Sequence, residues 1–166
     1  VSPYNLAFDS VTGQPVSGAR ISLVDAQSGA PDSVTGRDGV STFPSSVTSG
    51  QTVTDSSGAN YSAAAGTYLL PIVGRGEYRL QVEAPPGYRF ASTATTDALQ
   101  KLPGAPFTLG PASFGQPFTL DKAQPVGFDI PLDPVSTSLF VQKTVSAVTA
   151  AVGDMLQFNL TVENSD

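Results

Sequence analysis

The residues that most often carry catalysis are sparse in this sequence. It contains no His and no Cys, so it can form no Ser-His-Asp triad and no His or thiolate metal site. Paired carboxylates, as in glycosidases, are the remaining route to hydrolysis. The strand pattern places no two carboxylates on one inner face, and by composition Asp133 falls in a linker. We therefore interpret the acidic residues as solvated charges, and expect no enzyme, no catalytic residue and no cofactor.

The segment DSVTGRDG (32–39) comes nearest to a metal-binding loop. It lacks the alternating Asp or Asn ligands and the closing Glu of a calcium-binding loop. We interpret it as a turn and expect no metal site. The alternative is a weaker calcium site that uses loop carbonyls with Asp32 or Asp38.

Aromatic faces stack on sugar rings, so several tyrosines raise the alternative of a sugar-binding platform: Tyr61, Tyr68, Tyr78 and Tyr88. Tyr78 is better interpreted as a core residue, and Tyr88 as the residue that pins the turn after Pro86 and Gly87. Tyr61 follows a polar stretch and is the free candidate. We therefore name Asn60 and Tyr61 as the candidate ligand residues.

The composition favours β-structure. The 166 residues include 16 Gly and 14 Pro, and only 13% are charged. Many short strands joined by tight turns need that much Gly and Pro, whereas long helices carry more charge. The net charge of −6 disfavours nucleic acid and anionic membranes, because phosphate binding requires clustered Lys and Arg. No apolar run reaches the ~18 residues of a membrane span, so we expect no membrane insertion.

Alternating apolar residues predict short strands that each bury one face. Three segments show the alternation: YNLAFD (4–9), ARISLVD (19–25) and EYRLQVE (77–83). Their inward residues are Tyr4, Leu6 and Phe8, then Ala19, Ile21 and Leu23, then Tyr78, Leu80 and Val82. The first of these strands is expected to be half-buried.

The other segments are more irregular. Asp38-Gly39 predicts a tight turn before a short strand, and the apolar residues 66–74 predict a central strand. Residues 44–65 predict a long loop with one short strand at 51–54. The rest predicts one helical turn near 96–102 within the irregular stretch 91–106, then closing segments at 106–110, 116–121 and 125–132.

Short strands at even spacing predict an all-β, antiparallel sandwich of the immunoglobulin-like kind. We expect this sandwich at residues 1–134, a linker at 135–138, and the first two strands of a truncated following sandwich at 139–166. The tail is too short for a sandwich of about 100 residues. The chain start and stop are interpreted as cuts inside a longer protein. The tail is expected to pair with a second copy as a hairpin, giving a dimer that is a product of truncation.

Two motifs carry a family resemblance. FDSVTGQPVSGARISLVDAQSG (8–29) and GEYRLQVEAPPGYRF (76–90) resemble the prealbumin-like sandwich modules of bacterial surface proteins. These are the Sdr B-type and collagen-adhesin B-type repeats and the related carboxypeptidase regulatory-like domain. The resemblance implies a prealbumin-like fold over most of residues 1–134. Such modules serve as stalks, spacers and ligand binders alike.

The tail carries a second resemblance. LFVQKTVSAVTAAVGDMLQFNLTVENSD (139–166) resembles the start of a conserved tandem repeat, of undefined function, in large exported bacterial proteins. Together the two resemblances imply a long, secreted or surface-attached bacterial protein built from repeat modules.

Some collagen-adhesin B-type modules join a Lys to an Asn in an isopeptide bond, helped by a buried Glu. The resemblance places these three roles at Ala7, Gln81 and the GFDIPL segment, which offers Asp129 but no Asn. All three positions depart from the pattern, so we expect no internal cross-link.

These observations predict a non-catalytic spacer or stalk module, adhesin-like in setting, on the bacterial cell surface. Its partners would be the neighbouring modules of the same chain. The alternative is a binding module for an unidentified glycan or protein, which would use loops 44–65 and 91–116.

Overall fold

The computed structural model describes residues 4–135. Within them it has twelve short strands, one α-helical turn (α1, Thr96–Leu99) and one 3-10 helix (Pro111–Phe114). The strands are β1 Asn5–Asp9, β2 Arg20–Asp25, β3 Val34–Thr35, β4 Thr42–Phe43, β5 Ser46–Thr48, β6 Val53–Thr54, β7 Asn60–Tyr61, β8 Thr67–Tyr68, β9 Gly76–Glu83, β10 Tyr88–Arg89, β11 Phe118–Leu120 and β12 Ile130–Pro134. The predicted all-β class is confirmed.

Two four-stranded sheets carry the fold. One has the strand order β10-β12-β1-β8 and the other β11-β9-β2-β5, while β3–β4 and β6–β7 form separate two-stranded hairpins. Every pairing between these strands is antiparallel except β1 with β12, which run parallel. The arrangement is a sandwich-like fold with a main buried core and a second, smaller apolar cluster.

The centre of the second sheet follows the predicted alternation. Leu23 pairs with Leu80, and Ile21 pairs with Val82. Tyr78 and Leu80 are buried and Val82 is half-buried, while Gln81 is exposed. The predicted inward residues of 19–25 and 77–83 are therefore confirmed. Burying a leucine in such a core contributes about 1.5–3 kcal/mol.

Strand β1 differs from its prediction, since Ala7 and Phe8 are both fully buried on opposite faces. Ala7 belongs to the main core, whereas Phe8 packs in a second cluster with Leu99 and Phe107. The rings of Phe8 and Phe107 stack with their centroids 3.9 Å apart. The half-buried expectation was wrong because both faces are covered. The predicted inward residue Phe8 faces the segment after β10, which folds back over β1, and Ala7, which was not among the predicted inward residues, faces the main core.

The segment 44–65 is more regular than expected. It contains β5, β6 and β7 instead of one short strand in a loop. The segment 66–74 is buried in large part, but only Thr67–Tyr68 forms a strand, and that strand lies at a sheet edge. The prediction of a central strand there was wrong.

The helical turn expected near 96–102 is present as α1, and no strand forms at 106–110. Asp133 lies inside β12 and is buried, so its assignment to a linker was wrong. The first compact unit of the chain ends at Pro134. Residues 136–166 lie outside the described part, so the tail hairpin and its dimer stay predictions.

Candidate functional site

A polar cleft of about 240 Å³ lies between the β3–β4 and β6–β7 hairpins. It contains both candidate ligand residues. Its lining consists of Arg37, Asp38, Asp55, Ser57, Ala59, Asn60 and Tyr61. We call it the hairpin cleft.

Each hairpin turn is held by an aspartate. Asp38 accepts hydrogen bonds from the backbone N–H groups of Val40 (2.9 Å) and Ser41 (2.8 Å), and from the Ser41 hydroxyl. Gly39 takes a positive φ of 77°, which glycine adopts without strain. The sequence RDGVS therefore folds as the predicted tight turn, with its carboxylate used inside the turn.

Asp55 plays the same part in the second hairpin. Its Oδ1 accepts bonds from the Ser57 backbone N–H (2.8 Å), the Ser57 hydroxyl (2.6 Å) and the Ala59 N–H (3.2 Å). These are the local bonds that Asp commonly makes to residues two to four positions ahead. The carboxylate is buried as a result.

Tyr61 joins the two hairpins. Its hydroxyl donates to Oδ2 of Asp55 (2.7 Å) and accepts from the backbone N–H of Arg37 (3.0 Å). Gly36 permits this approach, because a Cβ there would lie 2.7 Å from Asp55 Oδ2 and 2.8 Å from the Tyr61 hydroxyl. The tyrosine thus fixes the β3–β4 turn against the β6–β7 hairpin.

The same hydrogen bonds set the charges in the cleft. Hydrogen bonds from the Ser57 and Tyr61 side chains are the main cause that lowers the pKa of Asp55 to about 2. The Ser41 side chain and backbone lower the pKa of Asp38. The bond to Asp55, together with burial, raises the pKa of Tyr61. Both carboxylates are therefore ionised at neutral pH, and Tyr61 stays a neutral donor.

Tyr61 is not the free stacking surface that was expected. Only 4% of it is exposed, the ring meets Phe43 edge-on with centroids 5.0 Å apart, and the Arg37 guanidinium carbon lies 5.0 Å from the ring centroid. A sugar ring has no open aromatic face to stack on here. Asn60 is exposed, and its Oδ1 accepts a bond from the Thr54 hydroxyl (2.7 Å).

The other tyrosines act inside the fold. Tyr78 is a core residue as predicted, and its hydroxyl donates to the Gly74 carbonyl (2.9 Å). The hydroxyl of Tyr68 donates to the Phe128 carbonyl (2.6 Å). Tyr88 donates to Oδ2 of Asp9 (2.8 Å), so it ties β10 to β1 in addition to following the Pro86-Gly87 turn.

A second groove, of about 320 Å³, lies along β9. It is lined by Val24, Gly29, Arg79, Leu80, Gln81, Val82, Phe90 and Gly115. Arg79 is the only charged residue that residues 4–135 contribute to this lining. The groove therefore offers no acid–base pair.

The calcium alternative gains no support from residues 4–135, which contain no group of three or more acidic side chains able to hold a metal. Asp32 accepts a bond from the Ser33 N–H (2.8 Å), and Asp38 is used by its own turn. At the positions relevant to an isopeptide bond, Ala7 pairs with Ile130 in the core, and Gln81 is exposed. Asp129 accepts bonds from the N–H groups of Leu6 and Thr108.

Sequence reasoning missed the convergence of Arg37, Asp38 and Asp55 around Tyr61. The available signal was the pair of Asp-containing turn sequences, RDGVS and DSSGA, in which Asp precedes Ser and Gly. Those turns were predictable one at a time. Their packing against each other depends on the backbone N–H of Arg37 and on the missing Cβ of Gly36. A pattern of side chains in the sequence does not reveal either feature.

The described residues thus define an all-β, sandwich-like unit with an internally hydrogen-bonded polar cleft. No family model matches the chain, and neither the curated proteins nor the solved structures include a significant match. Among residues 4–135 there is no helix long and apolar enough to cross a membrane.

Proposed function

We propose that this chain is a non-catalytic spacer module of a large, exported bacterial surface protein. The observation that carries the proposal is the parallel pairing of the first and last described strands, in which Ala7 lies beside Ile130 and Asp9 beside Leu132. Neighbouring parallel strands enter at one end of a sheet and leave at the other. The chain therefore enters the unit at one end and exits at the opposite end.

This geometry suits modules that are joined in series. Asn5 lies two residues before Ala7, and Pro134 lies four residues after Ile130, the partner of Ala7, so the distance from Asn5 to the exit is about 20 Å at ~3.3 Å per residue. Each added module would extend the chain along its strands. Adjacent chain ends, by contrast, would fold the next module back.

The hairpin cleft is consistent with a structural role. Its two carboxylates and its tyrosine hydroxyl bond to groups of the same two hairpins. The Tyr61 hydroxyl thereby links the two hairpins to each other. The resemblance to prealbumin-like surface modules supports the same function and supplies the bacterial surface setting.

The proposal can be tested with head-to-tail concatemers of one, two and three copies of residues 1–135. Small-angle X-ray scattering should show the maximum dimension growing by a near-constant step with each copy. A maximum dimension that hardly grows would refute the spacer role. Antibody labelling of intact source cells checks the surface setting separately.

A second candidate is a binding module, favoured by the open hairpin cleft beside exposed Asn60. Of the two loops first considered, 91–116 contributes Leu99 and Phe107 to the cluster over β1, so the cleft within 37–61 is the better location. A glycan array and a pull-down with the whole chain test this function. Binding that is lost in Asn60→Ala, and kept in the exposed control Gln116→Ala, would favour it over the spacer.

A further inference from the structure

We propose that β1 and β12 form a load-bearing clamp, which lets the module resist a pull applied along the chain. This inference rests on the proposed spacer function, because a surface stalk transmits force through its chain ends. The clamp is distinct from the spacer function. A spacer needs only chain ends that lie at opposite ends of the unit, whereas a clamp needs hydrogen bonds that break at the same moment.

The direction of the strands decides how force reaches them. A pull on the chain before Asn5 and after Pro134 draws β1 and β12 in opposite directions along their own axes. The two strands are neighbours, so they must slide past each other. Hydrogen bonds in a parallel ladder are evenly spaced, and sliding therefore loads them all at the same moment.

Three bonds that involve side chains and one backbone bond extend this ladder beyond the three paired positions. At its start, the Asn5 side chain donates to the Val126 carbonyl (2.6 Å), and the Leu6 N–H donates to Asp129 (2.8 Å). At its end, the Ser10 N–H donates to the Leu132 carbonyl (2.9 Å), and the Ser10 hydroxyl donates to Asp133 (2.6 Å). Every one of these bonds crosses between the first and the last segment of the unit.

The two aspartates are themselves anchored to the rest of the fold. Asp129 also accepts from the Thr108 N–H (2.7 Å). Asp133 is only 9% exposed and also accepts from the Ser92 hydroxyl (2.6 Å) and the Thr93 N–H (2.9 Å). Sliding β12 therefore breaks hydrogen bonds to three segments of the chain at once, and not only the single row of bonds between β1 and β12.

The chain suits a two-direction pulling experiment because it has no Cys, so introduced cysteines are unique attachment points. In the sliding geometry, one handle is fused at Val1 and the other is attached at Val135→Cys. In the peeling geometry, the handles are at Val11→Cys and Val135→Cys, which lie at the same end of the strand pair. Both positions are exposed, Val11 by 64% and Val135 by 43%.

Single-molecule force spectroscopy on the full chain should give a rupture force at least about twofold higher for sliding than for peeling, because peeling breaks the evenly spaced bonds one by one. Equal forces in the two geometries would overturn the clamp. They would leave the spacer function intact, since the concatemer test does not depend on rupture force.

Variants identify the side chains that contribute. Asp129→Ala should lower the sliding force and leave the peeling force nearly unchanged, and Asp129→Asn, which keeps one acceptor oxygen, should fall between. Asp121→Ala is the matched control, since Asp121 is exposed and has no hydrogen bond among residues 4–135. If Asp129→Ala lowers both forces in proportion, the residue serves general stability and the clamp assignment is wrong.

Discussion

The terminal strand pair, β1 with β12, and the two hairpins, β3–β4 and β6–β7, are both held by aspartates. The aspartates of the two regions bond to partners at very different distances along the chain. In the hairpins, Asp38 and Asp55 bond to residues two to six positions away. In the terminal pair, Asp129 bonds to Leu6 and Asp133 bonds to Ser10, each across 123 positions. The same chemistry therefore shapes a local turn in one region and closes the whole fold in the other.

This difference determines what each region contributes to stability. A local Asp–Ser bond can form while the chain is still unfolded, so it favours folding only weakly. A bond across 123 positions forms only after the loop between its partners has closed. The terminal pair should therefore report global unfolding, whereas the hairpins should report local order.

The largest expected effect comes from removing a core side chain, because the terminal strand pair and the hairpins both pack on the same core. Leu80→Ala should lower the free energy of unfolding by about 2–5 kcal/mol, from the lost burial and the cavity left behind. Gln81→Ala, one position along on the exposed face, should be nearly silent. Urea unfolding measures both. Equal losses would contradict the strand register, since a one-residue slip exchanges the two faces.

The comparison itself predicts that Asp133→Ala costs more than Asp38→Ala. Loss of the Asp133 carboxylate leaves the Ser10 and Ser92 hydroxyls and the Thr93 N–H without their acceptor, which should cost about 2–3 kcal/mol. Asp38→Ala exposes its turn donors to water, so its loss should be smaller. Thermal unfolding of the two variants side by side is the measurement. A larger loss for Asp38→Ala would reverse the assignment of local and global roles.

These two regions also explain how far the sequence could predict the structure. Strands β2 and β9 were predictable because one face packs on the core and the other meets water. In β1 the burial of Phe8 was predicted, but not the cluster that buries it, because Leu99 and Phe107 come from a segment more than 90 residues away. The burial of Ala7 in the main core, on the opposite face, was missed. Asp133 was misassigned for a related reason. Its neighbours in sequence resemble a linker, whereas the hydroxyls that bond to it belong to Ser10 and Ser92, which are distant in sequence.

Acid should weaken the terminal strand pair as the pH falls toward and below about 4, the ordinary pKa of Asp. Burial alone would raise the pKa of Asp133, but hydrogen bonds from Ser10, Ser92 and Thr93 outweigh it and hold the pKa below its ordinary value. The unfolded state, with a pKa of about 3.9 for Asp, then binds protons first as pH falls. Stability is present above that value and is lost as pH drops through the folded pKa.

The fall in stability at acid pH distinguishes the terminal strand pair from the hairpins. It is measured as the urea midpoint of unfolding from pH 6 down to about pH 2.5. Asp133→Asn should flatten the fall in stability more than Asp55→Asn. The pKa of Asp55 is about 2 in the folded state, but its local partners can keep it low in the unfolded chain as well. If Asp55→Asn flattens the fall in stability more than Asp133→Asn does, the hairpin forms only together with the global fold.

The smallest expected effect concerns the hydroxyl that joins the two hairpins. Tyr61→Phe keeps the ring against Phe43 and removes both the donor to Asp55 and the acceptor for the Arg37 N–H. The loss of stability should be about 1 kcal/mol, while the pKa of Asp55 should rise toward its ordinary value. NMR titration of the carboxyl carbons measures this shift directly. Tyr88→Phe is the matched control, because it removes a hydroxyl bonded to Asp9 and should move that pKa instead. If Tyr61→Phe leaves Asp55 unchanged, then Ser57 and the turn backbone alone set its charge, and the hairpins are coupled by packing more than by the tyrosine hydroxyl.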